Sequence, residues 1–113
     1  MLFTDRLVIL TLPPMFSHVV ILWTDPAQPQ AVEQLLAGAE RFLRPIPGIV
    51  SFHAGKMVTS HRPVVDQSYQ VGLNVTFLDK AAQDAYQVHP LHLEFVQKVL
   101  KPIVKKVLVY DFE

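Results

Sequence analysis

Phe16 to Trp23 is a nearly continuous apolar run, interrupted by Ser17 and His18, and reads as a strand. In an extended chain, Phe16, His18, Val20 and Leu22 fall on one face, and Val19, Ile21 and Trp23 on the other. Both faces are apolar, so both need covering. Thr24-Asp25-Pro26 breaks this strand, and Pro26 and Pro29 stiffen the loop that follows. The period then changes to that of a helix. Val32, Leu35, Leu36, Ala39, Phe42 and Leu43 form one stripe, which predicts a helix over Pro29–Arg44. Glu33 lies near its start, Arg41 and Arg44 near its end, and Glu40 and Arg44 are spaced to pair. Pro45 and Pro47 stop it, and Gly48 supplies the turn.

A second strand is expected over Ile49–Met57, with Gly55 as a bulge or close-approach point. Residues 58–67 are polar, contain Pro63 and read as a loop. In Tyr69–Phe77, Tyr69, Val71, Leu73, Val75 and Phe77 alternate with Gln70, Gly72, Asn74 and Thr76, which suits an antiparallel hairpin with strand two. Asp79 is placed to cap a short helix over Lys80–Tyr86. Pro90 disfavours helix at His89 but can open a new helix, expected to end before Pro102. Val104–Phe112 is the last strand.

The order strand, helix, strand, strand, helix, strand is the ferredoxin-like βαββαβ pattern of an α+β domain. It implies an antiparallel four-stranded sheet with both helices on one face. The other face would be bare, yet it carries Val19, Ile21 and Trp23. A homodimer with its sheets packed face to face covers it. Residues 1–14 stand apart as a strand-like arm, β-rich over Arg6–Leu12 and ended by Pro13-Pro14; residues 15–113 form the domain.

Composition narrows the function classes. Half of the 113 residues are apolar and 18% are charged, which favours self-association. Ten basic residues balance ten acidic ones, so no global field draws in nucleic acid. The small cluster Lys98, Lys101, Lys105 and Lys106 reads as a solvated end. The lack of cysteine excludes disulfides, thiolate metal sites and a cysteine nucleophile, and fits a cytoplasmic setting. No run approaches the length of a membrane span, and Leu7–Leu12 is too short for a signal-peptide core. Phosphate-cradling glycine loops and a nucleophile elbow are also lacking.

The chemistry-bearing residues gather in Tyr86-Gln87-Val88-His89-Pro90-Leu91-His92, with His18 in the first strand. His92 shares a helical face with Phe95, Val96 and Val99 and therefore points inward. Residues facing in from the first strand and the second helix can meet between sheet and helices. Imidazoles act as acids and bases near neutral pH, and a phenol can donate to a developing oxyanion. Tyr86, His92, His18 and His89 are thus the candidate catalytic set, suited to proton abstraction beside a carbonyl. Each has a plainer role. His18 can be a satisfied core histidine, His89 a helix cap, and Tyr86 a half-buried packing residue. His92 is the hardest to explain in that way. Three imidazoles could hold a metal, but His89 and His92 straddle a helix boundary and Asp84 and Glu94 face outward, so no metal or cofactor is expected. His53 and His61 have no evident partner.

Several segments recur together in one known family: the His-Val-Val-Ile-Leu first strand, Ile-Pro-Gly-Ile, Phe-His-Ala-Gly-Lys, Val-Thr-Phe, Tyr86–His92 and the closing Val109-Tyr110-Asp111. Over residues 16–112 the chain resembles the stress-responsive dimeric α/β-barrel (Dabb) family. The resemblance implies a homodimer whose two sheets close into a barrel. One plant member is a polyketide cyclase that closes a ring by an aldol reaction. Its tyrosine–histidine acid/base pair falls on Tyr86 and His92, its strand-one histidine on His18 and its pre-proline histidine on His89. The arm and Lys56 depart from the family pattern. The implied function is binding of a small apolar carbonyl compound in a His/Tyr-lined pocket, with cofactor-free cyclase- or isomerase-like chemistry. The alternatives are a non-catalytic stress-associated or assembly protein with the same residues structural, and a cofactor-free monooxygenase-like enzyme of the same fold.

Overall fold

A computed structural model describes residues 14–113 of the chain. The arm read at residues 1–14 lies, but for residue 14, outside the described residues. Four strands follow the expected order: β1 (Phe16–Thr24), β2 (Ile49–Lys56), β3 (Val71–Phe77) and β4 (Val104–Phe112). They form one antiparallel sheet in the order β2-β3-β1-β4, which is the ferredoxin-like arrangement. The bulge expected at Gly55 is not there. The β2–β3 register shifts between Ile49 and Ser51 instead, and Gly55 stays in register with Gly72. A Cβ on Gly55 would stand 3.1 Å from His53 Nε2, so the glycine serves close approach.

Helix α1 covers Ala31–Gly38 and continues as a wider π-helical turn, Ala39–Leu43. It begins two residues later than Pro29 suggested, because residues 25–31 first make a turn: Gln28 N–H donates to Asp25 O, and Ala31 N–H to Gln28 O. The Arg44 guanidinium donates twice to Glu40, at 2.6 and 3.0 Å. Helix α2 (Lys80–Gln87) is capped by Asp79, whose carboxylate accepts from Ala82 N–H at 2.9 Å. Helix α3 (Pro90–Phe95) leads into a second π-helical turn, Val96–Leu100, and a last turn, Lys101–Ile103. The helical path thus passes through Pro102 and does not stop before it. A widened turn precedes the proline, and in the short last turn its missing N–H is no loss.

The core lies between the sheet and these helices. Phe16, Val20 and Leu22 of β1 and Val71, Leu73, Val75 and Phe77 of β3 are buried there against Leu35, Leu43 and Phe95. Each such side chain contributes about 1.5–3 kcal/mol by leaving water. Gly38 lets α1 approach the second π-helical turn closely, since a Cβ there would stand 2.7 Å from a methyl group of Val99. The alternation in β3 begins at Val71. Tyr69 does not join the buried face: it packs its ring against Trp23, at 6.4 Å between centroids, on the opposite side of the sheet. The cause is Gln70, whose N–H donates to Leu22 O and whose side chain accepts from Thr24 N–H, so the chain turns before the strand starts.

That opposite face is open. Antiparallel register pairs Val19 with Tyr110 and Ile21 with Leu108. Leu108, Tyr110 and Phe112 are exposed there.

Candidate functional site

His18 sits on the inward face of β1 and is buried. Its ring meets Phe77 and Tyr86 edge-on, with centroids 6.5 and 5.8 Å away. Directly across the β1–β4 pairing stands Asp111, and residues opposite each other share a face. The imidazole Nδ1 therefore meets Asp111 Oδ1 at 2.5 Å. The carboxylate only accepts, so the proton lies on Nδ1. His18 Nε2 makes no hydrogen bond with another described residue.

The break after α2 places the next two groups. His89 is extended, at ψ 141°, as the residue before a proline must be, and Pro90 takes the first turn of α3. His89 Nδ1 accepts from Leu91 N–H at 3.1 Å and so caps α3. His89, expected as either cap or catalyst, is the cap here and does not line the cavity described below. Tyr86 ends its helix fully buried, and His92 lies one turn into the next. Their rings meet edge-on at 4.9 Å.

Two glutamines orient His92. Gln83 Nε2 donates to Gln87 Oε1 at 2.8 Å, and Gln87 Nε2 approaches His92 Nε2 at 3.3 Å. An amide nitrogen can only donate, so His92 Nε2 accepts and the proton of the neutral ring lies on Nδ1. That Nδ1 is buried and has no hydrogen-bond partner among the described residues. Burial holds His92 below the usual histidine range, and the charge of a protonated His18 adds to this. Burial pushes the Tyr86 phenol up, so it stays a donor.

Together these groups border a cavity of about 300 Å³ between the sheet and the helices. Val20 and Leu73 line it from the central strands, and Val107 and Val109 from β4. Leu43, Val96 and Leu100, from the two π-helical turns, close it on the helical side. His18, Tyr86, Gln87, His92 and Asp111 supply its polar end, and among the described residues no lysine or arginine lines it. The structure thus brings together His18, Tyr86 and His92, three of the four residues picked from the sequence. It adds Asp111 and Gln87, which the sequence reading passed over. Alternation in β4 held the signal for Asp111, a polar residue on the face of Val107 and Val109. His53 lies elsewhere, opposite Asn74 on β3, and His61 is exposed in the loop after β2. Among the described residues no three His, Asp or Glu side chains converge as a metal site, and no helix is long and apolar enough to cross a membrane.

The stress responsive A/B barrel domain (Dabb) family model matches residues 16–113. The chain belongs to the Dabb family. Among curated relatives of this Dabb domain, the stress-response A/B barrel domain-containing protein HS1 of Arabidopsis thaliana is 32% identical, over 86% of this chain and 87% of its own. Among solved structures, a Dabb protein with a ferredoxin-like fold from Mesorhizobium loti superposes with a TM-score of 0.73 at 28% identity, covering 88% of this chain and 95% of that one. A dimeric ferredoxin-like protein from Jannaschia gives a TM-score of 0.68 at 27% identity, covering 88% and 98%.

Proposed function

We propose that this Dabb protein is a homodimer through its open sheet face and binds a small, uncharged, largely apolar carbonyl compound, on which the pocket does cofactor-free acid/base chemistry. The unpartnered His92 Nδ1 beside a 300 Å³ cavity carries the reading. A buried N–H without an acceptor costs about 1–3 kcal/mol, and a ligand oxygen would recover it. The Tyr86 hydroxyl is a second donor at the same end. The volume is at the lower bound for small-molecule sites, and the walls are apolar. Among the described residues Asp111 is the only formally charged group lining it, and it does not offset the charge of a carboxylate or phosphate. The dimer accounts for exposed Leu108, Tyr110 and Phe112 on one face, and the Jannaschia relative is dimeric.

Calorimetry with a series of straight-chain methyl ketones, against carboxylic acids of matching length, tests the ligand class. The ketones should bind with affinity that rises with chain length until the cavity is full, and the acids should bind far more weakly. Equal binding of the acids, or no ketone binding at any length, would contradict the proposal.

A further inference from the structure

We infer that the proton-accepting group of this pocket is His18, held and charge-balanced by Asp111, while His92 acts as a neutral hydrogen-bond donor. The inference rests on the pocket reading above and assigns its base. The family resemblance places the acid/base histidine at His92. The hydrogen bonds reverse that assignment. A neutral imidazole accepts a proton only at its bare nitrogen. In His92 that nitrogen is Nε2, and it faces the Gln87 amide. In His18 it is Nε2 as well, but here Nδ1 is the atom engaged, by Asp111 at 2.5 Å, and Nε2 is left free.

Charge points the same way. The titratable groups packed around His18 are Asp111 from β4, Tyr86 from α2 and His92 from α3, while β3 contributes the apolar Val75 and Phe77. Tyr86 and a neutral His92 bring no charge. Among the described residues Asp111 is the one group that balances an imidazolium, and it balances it at His18. His92 has no carboxylate against it, and burial disfavours its charged form.

The step this allows is an enolisation. His18 Nε2 takes a proton from the carbon beside a ligand carbonyl. The C–H electron pair becomes the C=C bond of the enolate, and the carbonyl π pair moves onto oxygen. Tyr86 O–H and His92 Nδ1–H donate to that oxygen. Return of the proton from His18 to carbon restores the ketone, so in heavy water the visible result is deuterium at the α-carbon.

Two measurements test it. Long-range ¹H–¹⁵N correlation of the imidazoles reads the protonation states without a ligand. Each neutral ring should carry its proton on Nδ1, with His18 Nε2 bare and His92 Nε2 accepting from the Gln87 amide. Asp111→Asn should weaken the preference of His18 for the Nδ1–H tautomer while leaving the fold intact, because Asp111 lies on a half-exposed edge strand. If neutral His18 carries its proton on Nε2, or if neutral His92 does, the inference fails. The second measurement is α-deuterium incorporation into a medium-chain methyl ketone. His18→Gln should lower the saturated rate on the order of 100-fold. Asp111→Asn should lower it about 10- to 100-fold, the equivalent of one charged hydrogen bond. His92→Gln should act more on KM and lower the saturated rate less than His18→Gln does. The reverse ranking would overturn the assignment. A wild-type protein that binds no ketone contradicts the ligand reading, and the two tautomers still decide for or against His18.

Discussion

Gly38→Ala tests the packing that shapes the pocket. Position 38 is buried at the end of α1, and a Cβ there would stand 2.7 and 2.8 Å from the two methyl groups of Val99 and 3.2 Å from its Cβ. Contacts under 3.0 Å cannot persist, so something must move. Val99 is β-branched and buried within the second π-helical turn, which leaves it little rotamer freedom. The helices must therefore separate. Overpacking of this kind costs about 1–3 kcal/mol. Alanine recovers up to about 1 kcal/mol of helix propensity over glycine, so a net loss of about 1 kcal/mol is expected. Val99→Ala alone should cost about 2 kcal/mol. The double variant should lose less than the sum of the two, by about 1 kcal/mol, because each change makes room for the other. Urea unfolding at one fixed protein concentration reads all four corners of the cycle. Leu43, Val96 and Leu100 neighbour this contact in sequence and line the cavity, so ketone affinity should fall in the single alanine variant at position 38. If Gly38→Ala raises stability, or if the two changes simply add, α1 and the second π-helical turn do not meet as described.

Other expectations follow from single features. Asp79→Ala removes the carboxylate that accepts from Ala82 N–H and should lower stability by about 1 kcal/mol in the same assay. Stability should fall as pH drops below the ordinary histidine range near 6.5. His92 is held below that range, so the unfolded chain binds its proton first and unfolding is favoured until His92 also charges in the fold. His92→Gln should reduce that slope, and an unchanged slope in urea titrations at several pH values would exclude His92 as its source. Leu108→Glu puts a charge on the open sheet face and should convert the dimer to monomer in light scattering, with the far-ultraviolet circular dichroism unchanged.

The fold was legible because the periods are clean. The two strand faces of Phe16–Trp23 and the helical stripe from Val32 to Leu43 both agree with the observed burial, and β4 has the bounds read from the sequence. Local chemistry read well too: Asp79 and Pro90 begin helices as expected, and Glu40 pairs with Arg44. Contacts between distant segments were harder to see. The two π-helical turns have no sequence period of their own. Tyr69 fits the alternation of β3, but a side-chain bond from Gln70 to the β1 end ends the strand before it. The site shows the same division. Tyr86 and His92 are neighbours in the chain, and His18 was found from its strand face. Asp111 is 93 residues from His18, and the β1–β4 register joins them. Without that register, the family resemblance leaves His92 as the base. With it, the bare nitrogen belongs to His18.

A crystal structure with a medium-chain methyl ketone bound bears most directly on the pocket. The ketone oxygen should lie within hydrogen-bond distance of Tyr86 Oη and His92 Nδ1, its α-carbon toward His18 Nε2, and its chain along Leu43, Val96 and Leu100. A cavity filled by protein side chains, with His92 Nδ1 bonded to the protein and the ketone elsewhere or absent, would contradict the account.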